Sequence, residues 1–111
     1  MEIYYKHGRL QEVAANFKSA AREWGNENAK KLFMRIQQLK AASTLNDMYS
    51  VPGARFHPLK GDRKDQFALD LKHPKRLIVV PMEPVPRLED GGIDLLRVSE
   101  ITIIEVVDYH G

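Results

Sequence analysis

Hydrophobic and polar positions along the chain follow two periods, and the change between them divides it into halves. Met1 to Tyr5 alternates, with Ile3 and Tyr5 on one side and Glu2 and Tyr4 on the other, which predicts a short strand. His7-Gly8 breaks it. From Leu10 the apolar residues Leu10, Val13, Ala14, Phe17, Ala21 and Trp24 recur at helical spacing and predict one helix to Trp24. Gly25 ends that helix and Asn26 is placed to cap the next. The second helix carries Ala29, Leu32, Phe33, Ile36 and Leu39 on one face, with Lys30, Lys31, Arg35, Gln38 and Lys40 expected outside it. So short a connection predicts antiparallel helices. Thr44, with Asp47 three residues on, reads as a capping box for a one-turn helix at Leu45 to Tyr49, and Pro52-Gly53 closes the helical half.

The period then becomes two. Arg55 to Leu59 is a short strand, Lys60 to Lys64 a turn, and Gln66 to Lys72 a strand with Phe67, Leu69 and Leu71 facing one way. His73-Pro74 turns the chain into the apolar strand Arg76 to Met82. A Pro- and acid-rich loop, Pro84 to Gly92, precedes the last strand, Ile101 to Tyr109. A strand, a helical hairpin and a run of antiparallel strands predict an α+β domain with the helices on one sheet face.

Composition narrows the function. At 111 residues the chain fits one domain, 1–111, and can bury a core without a staple. It has no cysteine, which removes disulfides, thiolate metal sites and a cysteine nucleophile. No signal peptide or membrane span is read, so a cytoplasmic protein is expected. The net charge of +2 is small, but its distribution is uneven. Arg55 to Arg76 holds seven basic residues against three acidic ones, and Glu83 to Asp108 two against seven. A basic centre before an acidic end points to a local anion site rather than a uniformly basic surface. There is no P-loop, no GxGxxG and no serine elbow, and His7, His57, His73 and His110 lack the spacing of a local zinc motif.

Arg55-Phe56-His57-Pro58-Leu59-Lys60-Gly61-Asp62-Arg63 resembles the His-x-Leu-Lys-Gly segment of the HigB branch of the RelE/ParE toxin superfamily. The likeness continues through Asp70-Leu71-Lys72-His73-Pro74-Lys75-Arg76-Leu77-Ile78, similar to that family's central hairpin, and ends at Val107-Asp108-Tyr109-His110. The resemblance implies a helical hairpin on an antiparallel sheet whose concave face carries the site. It implies a type II toxin that cuts ribosome-bound mRNA through the RNA's own 2′-hydroxyl, leaving a 2′,3′-cyclic phosphate and a 5′-hydroxyl, with no metal or other cofactor. A helix-turn-helix antitoxin of the HigA type is the implied partner in a silencing complex.

That chemistry needs a proton acceptor, a stabiliser of phosphorane charge and a proton donor for the leaving oxygen. Arg76, permanently charged and able to bind two phosphate oxygens, suits the second role; the same residue also reads as a salt-bridge partner of Asp70 across the hairpin. Histidine titrates close to neutrality, so His57 is a candidate base or acid, or else a packing residue. His110, with Asp108 orienting its ring, is a second candidate; strict alternation puts these two on one strand face and Tyr109, a base-stacking or positioning candidate, on the other. Arg55, Lys60, Arg63, Lys64 and His73 form the candidate RNA-binding rim, with a solvated turn as the plain alternative. Two other functions share the fold: a ParE-like gyrase-binding toxin without nuclease activity, and a non-toxic, antitoxin-binding co-regulator of its operon.

Overall fold

The computed structural model describes residues 1–108. Strand β1 (Glu2–Tyr5) leads into three helices, α1 (Gly8–Ala15), α2 (Phe17–Trp24) and α3 (Asn26–Ala41). The single helix expected over Leu10 to Trp24 is thus two. Asn16 leaves helical geometry (φ −125°, ψ 118°) and its side-chain carbonyl accepts from the Ser19 N–H at 3.1 Å, so it ends α1 and caps α2. The expected apolar stripe holds at Leu10 and Ala14, which are buried, and at Trp24, which is half-buried. Past the break, however, Phe17 is exposed and Ala20, off the stripe, is fully buried. Gly25, at φ +90°, makes the next joint; Asn26, expected as the cap, is the first residue of α3. Phe17, at the start of α2, meets Phe33, halfway along α3, edge to face at 5.8 Å. That contact is what two helices folding back from Gly25 produce.

Asp47 closes the next turn as expected: its carboxylate accepts from the N–H groups of Ser43 (2.9 Å) and Thr44 (3.2 Å) at the head of a 3-10 helix, Leu45–Ser50. Four strands follow, β2 (His57–Pro58), β3 (Phe67–Asp70), β4 (Lys75–Pro81) and β5 (Glu100–Asp108), in the order β1-β5-β4-β3-β2. Strands β2 to β5 are antiparallel neighbours, and β1 lies parallel to β5. The strand expected over Arg55 to Leu59 shrinks to two residues because Arg55 takes φ +48°, outside extended geometry.

One sheet face is covered. Phe67, Leu69, Leu77, Val79, Ile101 and Ile103 pack there against Leu32, Ile36, Leu39, Leu45 and Met48. Among the described residues no α-helix covers the other face, whose centre is a small second cluster of Leu59, Ala68 and Ile78 with Ile104 and Val107. The register sets its rows: Asp70, Arg76 and Val107; then His57, Ala68, Ile78 and Glu105; then Val80 and Thr102. Between Ile78↔Glu105 and Val79↔Ile103 the register slips, leaving Ile104 as an extra residue in β5. Without that bulge Glu105 would share the face of Ile103, inside the core. With it, Glu105 turns to the open face.

Between β4 and β5 the Pro- and acid-rich segment forms an arm. An isolated bridge Arg87↔Ile93 closes it, and a 3-10 turn, Leu95–Arg97, returns it to β5.

Candidate functional site

Asp70, the last residue of β3, is the hub of the open face. Its N–H donates to the Ala54 carbonyl (2.7 Å), and its own carbonyl accepts from Arg35 Nε (2.8 Å). Its carboxylate faces two further guanidinium groups: Arg76 Nε lies 3.0 Å from Oδ1 and Arg55 Nε 3.6 Å from Oδ2. Oδ1 is buried and makes no aligned hydrogen bond, so its contact with Arg76 is an ion pair held by charge alone. Both readings of Arg76, phosphate ligand and Asp70 partner, therefore concern the same spot.

Arg35 is buried, with 2% of its surface exposed, and not on the outer face of its helix as expected. Its side chain holds the carbonyls of Asp70 (2.8 Å) and Gly53 (2.9 Å) and the Gln38 amide oxygen (3.1 Å). The reason lies in residues 53–55, where Gly53 (φ +78°) and Arg55 (φ +48°) both take left-handed geometry. Such a turn directs carbonyls inward where no ladder N–H meets them, and the five-donor guanidinium supplies the missing protons. Burial pushes the Arg35 pKa down and Asp70 opposes the shift; an arginine so placed stays charged.

The same turn sets His57. Its Nδ1 lies 2.8 Å from the Arg55 carbonyl. A carbonyl only accepts, so Nδ1 carries the proton and Nε2 is the basic nitrogen of the neutral ring. His57 pairs with Ala68, which pairs with Ile78, so its side chain shares the open face with Arg76 one row away. Two strand spacings across and two residues along put their Cα atoms roughly 12 Å apart. Arginine and histidine side chains can close that gap around one phosphate.

No protein-family model and no curated protein sequence matches the chain. Among solved structures, a YoeB/ParE toxin from Agrobacterium tumefaciens matches with a TM-score of 0.57 at 11% sequence identity, over 99% of this chain and 100% of that one. The chain has the fold of that toxin. The α+β architecture read from the pattern is thereby met in a solved structure along its whole length.

On this toxin fold the remaining candidates scatter. Arg63 is drawn back over the sheet, pairing with Glu105 at 2.6 Å and donating to the Gln66 amide oxygen at 2.8 Å, so its charge is engaged within the fold. Lys60 and Lys64 are exposed on the turn beside it, and His73 is exposed in the β3–β4 turn, at the Asp70 end of the hairpin. Asp108 was expected to orient His110, which lies outside the described residues. The bulge shifts the alternation of β5, so Asp108 stands opposite Lys75, on the face of Leu77 and away from that of Arg76, and accepts from the Lys75 ammonium at 2.8 Å. Tyr109 and His110 lie outside the described residues. Among the described residues, no group of three or more metal-ligating side chains converges and no helix is long and apolar enough to cross a membrane.

Two residues that shape this face escaped the sequence reading. Arg35 had a signal: positions 32, 35, 36 and 39 have the spacing of one inward face, and a charge in that phase needs buried partners. Glu105 had none, because a bulge leaves no trace in an apolar strand.

Proposed function

We propose that this chain is the toxin of a type II toxin–antitoxin pair, a HigB-like member of the RelE/ParE superfamily that cuts ribosome-bound mRNA without a metal. One observation carries the reading: on the sheet face away from the helices of a toxin fold, a single carboxylate braces two guanidinium groups beside an imidazole with its basic nitrogen defined. Among the described residues Arg55 and Arg76 outweigh Asp70 at that end of the face, a charge balance that suits one phosphate. A phosphate takes Arg76 in exchange for the contacts it now makes, of which the one to Asp70 Oδ1 lacks hydrogen-bond alignment.

In this mechanism Arg76 and Arg55 stabilise the charge that builds on the phosphorane, and His57 Nε2 takes the proton from the 2′-hydroxyl. Tyr109 and His110 enter from the family resemblance alone, as the residues that position the nucleophile and protonate the leaving 5′-oxygen. Lys60, Lys64 and His73 flank the face and contact the RNA backbone. A HigA-like helix-turn-helix antitoxin covers the face in the silenced complex, and the toxin works in the cytoplasm.

The test is parallel induction of wild type and Arg76→Ala in growing cells, with mapping of RNA 5′ ends. Growth arrest with new 5′-hydroxyl ends is expected from the wild type only. Equal toxicity of both forms overturns the proposal, and double-strand DNA breaks without new RNA ends assign the chain to gyrase instead.

A further inference from the structure

The arm between β4 and β5 builds a feature that the phosphate site leaves unused. Arg87 ties it down, with Nη2 3.1 Å from Asp65 Oδ2 and Nη1 donating to the Gly91 carbonyl at 3.1 Å. Hydrogen bonds from Leu88 N–H to Gly92 (2.7 Å) and from Asp94 N–H to Pro86 (2.9 Å) close it on itself. Between this wall, the turn before β3 and the open sheet face lies a cleft of about 330 Å³, bordered by Gln66, Val80, Met82, Glu83, Val85 and Thr102.

We infer that this cleft is a nucleobase subsite, which takes a base of the same RNA strand whose phosphate Arg55 and Arg76 hold; the inference rests on the nuclease reading above. Position is the first ground. Val80 lies four residues along β4 from Arg76 and on the same face, about 13 Å away at strand rise. A stacked strand, rising about 3.4 Å per nucleotide, covers that distance in at most about four nucleotides, and an extended one in fewer.

Charge is the second ground. Arg87 is paired with Asp65, Glu83 adds a negative charge and Lys64 stands exposed at the rim towards the RNA backbone. The cleft itself, floored by Val80, therefore favours a neutral group over a phosphate. Hydrogen-bonding geometry is the third. Arg63 holds the Gln66 amide oxygen at 2.8 Å, which fixes the amide and presents its NH2 group as a donor. Thr102 donates only weakly, to the Met82 sulfur at 3.9 Å, so its oxygen serves as an acceptor. Thr102 pairs with Val80 from β5, and Gln66, just ahead of β3, borders it on the other side, roughly 10 Å from Thr102 across the sheet. A planar base lying on Val80 meets a donor at one edge and an acceptor at the other. One strand further, Tyr4 pairs with Thr102 and is 42% exposed, a ring on which the next base can stack.

The experiment is NMR of the labelled chain with 2′-deoxy pentanucleotides of each of the four bases, which lack the attacking hydroxyl and are long enough to span both sites. The expected result is a shift of the Gln66 amide and the Val80 and Thr102 methyl signals whose size depends on the base, together with base-independent shifts of the Arg55 and Arg76 Nε signals. Val80→Phe, which fills the cleft, weakens the cleft response at least tenfold and leaves the arginine response in place; Thr102→Val changes the ranking of the bases. Arginine shifts without a base-dependent cleft response overturn the subsite and leave the phosphate site standing. Silence at both arginines with every base overturns the nuclease reading and the subsite with it.

Discussion

Replacing Arg35 with methionine removes the guanidinium that satisfies the Asp70 and Gly53 carbonyls at 2.8 and 2.9 Å and leaves a chain of similar length in its place. Each carbonyl then sits inside without a donor, at a cost of roughly 1–3 kcal/mol apiece. Relief of burying a charge returns part of that. Gln38 is half-buried and can turn to water. The net loss expected is about 2–4 kcal/mol, a large part of the roughly 5–15 kcal/mol that holds a domain together. Urea unfolding followed by the fluorescence of Trp24, the only tryptophan, reads the change. At an m-value of about 1.5 kcal/mol/M the midpoint falls by roughly 1–3 M. Arg35→Lys is expected to lie between the two, since one ammonium cannot hold both carbonyls with a guanidinium's fixed fork. Lys30→Met, at an exposed site on the same helix, is the control and should stay within about 0.5 kcal/mol of wild type. If Arg35→Met does the same, the buried clamp is not what orders residues 53–55.

Two smaller effects follow from contacts elsewhere in the helical half. Asn16→Ala deletes the acceptor for the Ser19 N–H and should cost about 1 kcal/mol, with exchange protection lost first in the opening turn of α2. The Glu27 pKa is held below the ordinary glutamate value by the hydrogen bond from Lys72 and by that residue's charge. A depressed folded-state pKa means that the pair contributes above the unfolded-state pKa and loses its contribution as pH falls through the folded one. The stability difference between wild type and Glu27→Gln, small because the pair is exposed, should therefore be present at neutral pH and vanish in acid.

Much of this architecture was legible in the chain because burial imposes period. Phe67, Leu69 and Leu71 point inward as their alternation requires, and Thr44 with Asp47 opens a turn as the capping pattern requires. Asn16 escaped notice because it occupies a polar position in an unbroken stripe, where a helix interior and a cap differ only in backbone angle. The parallel pairing of β1 with β5 was not legible either, since alternation reports which side of a strand is buried and not which strand lies beside it. At the site, the Asp70–Arg76 pair followed from two residues facing across a hairpin. The convergence of Arg35 and Arg55 on the same aspartate did not. It depends on left-handed geometry at Gly53 and Arg55, and for an arginine nothing in the local pattern demands that geometry.

Arg76 as the phosphate ligand is tested most directly by the chemistry of the cut ends. Purified wild type, Arg76→Lys and Arg76→Ala, each shown to be folded, are incubated with mRNA on ribosomes. The wild type should leave 2′,3′-cyclic phosphate and 5′-hydroxyl termini, Arg76→Lys should be strongly impaired for want of a two-oxygen grip, and Arg76→Ala should be inactive. Undiminished cutting by Arg76→Ala, or 5′-phosphate ends from the wild type, would contradict it.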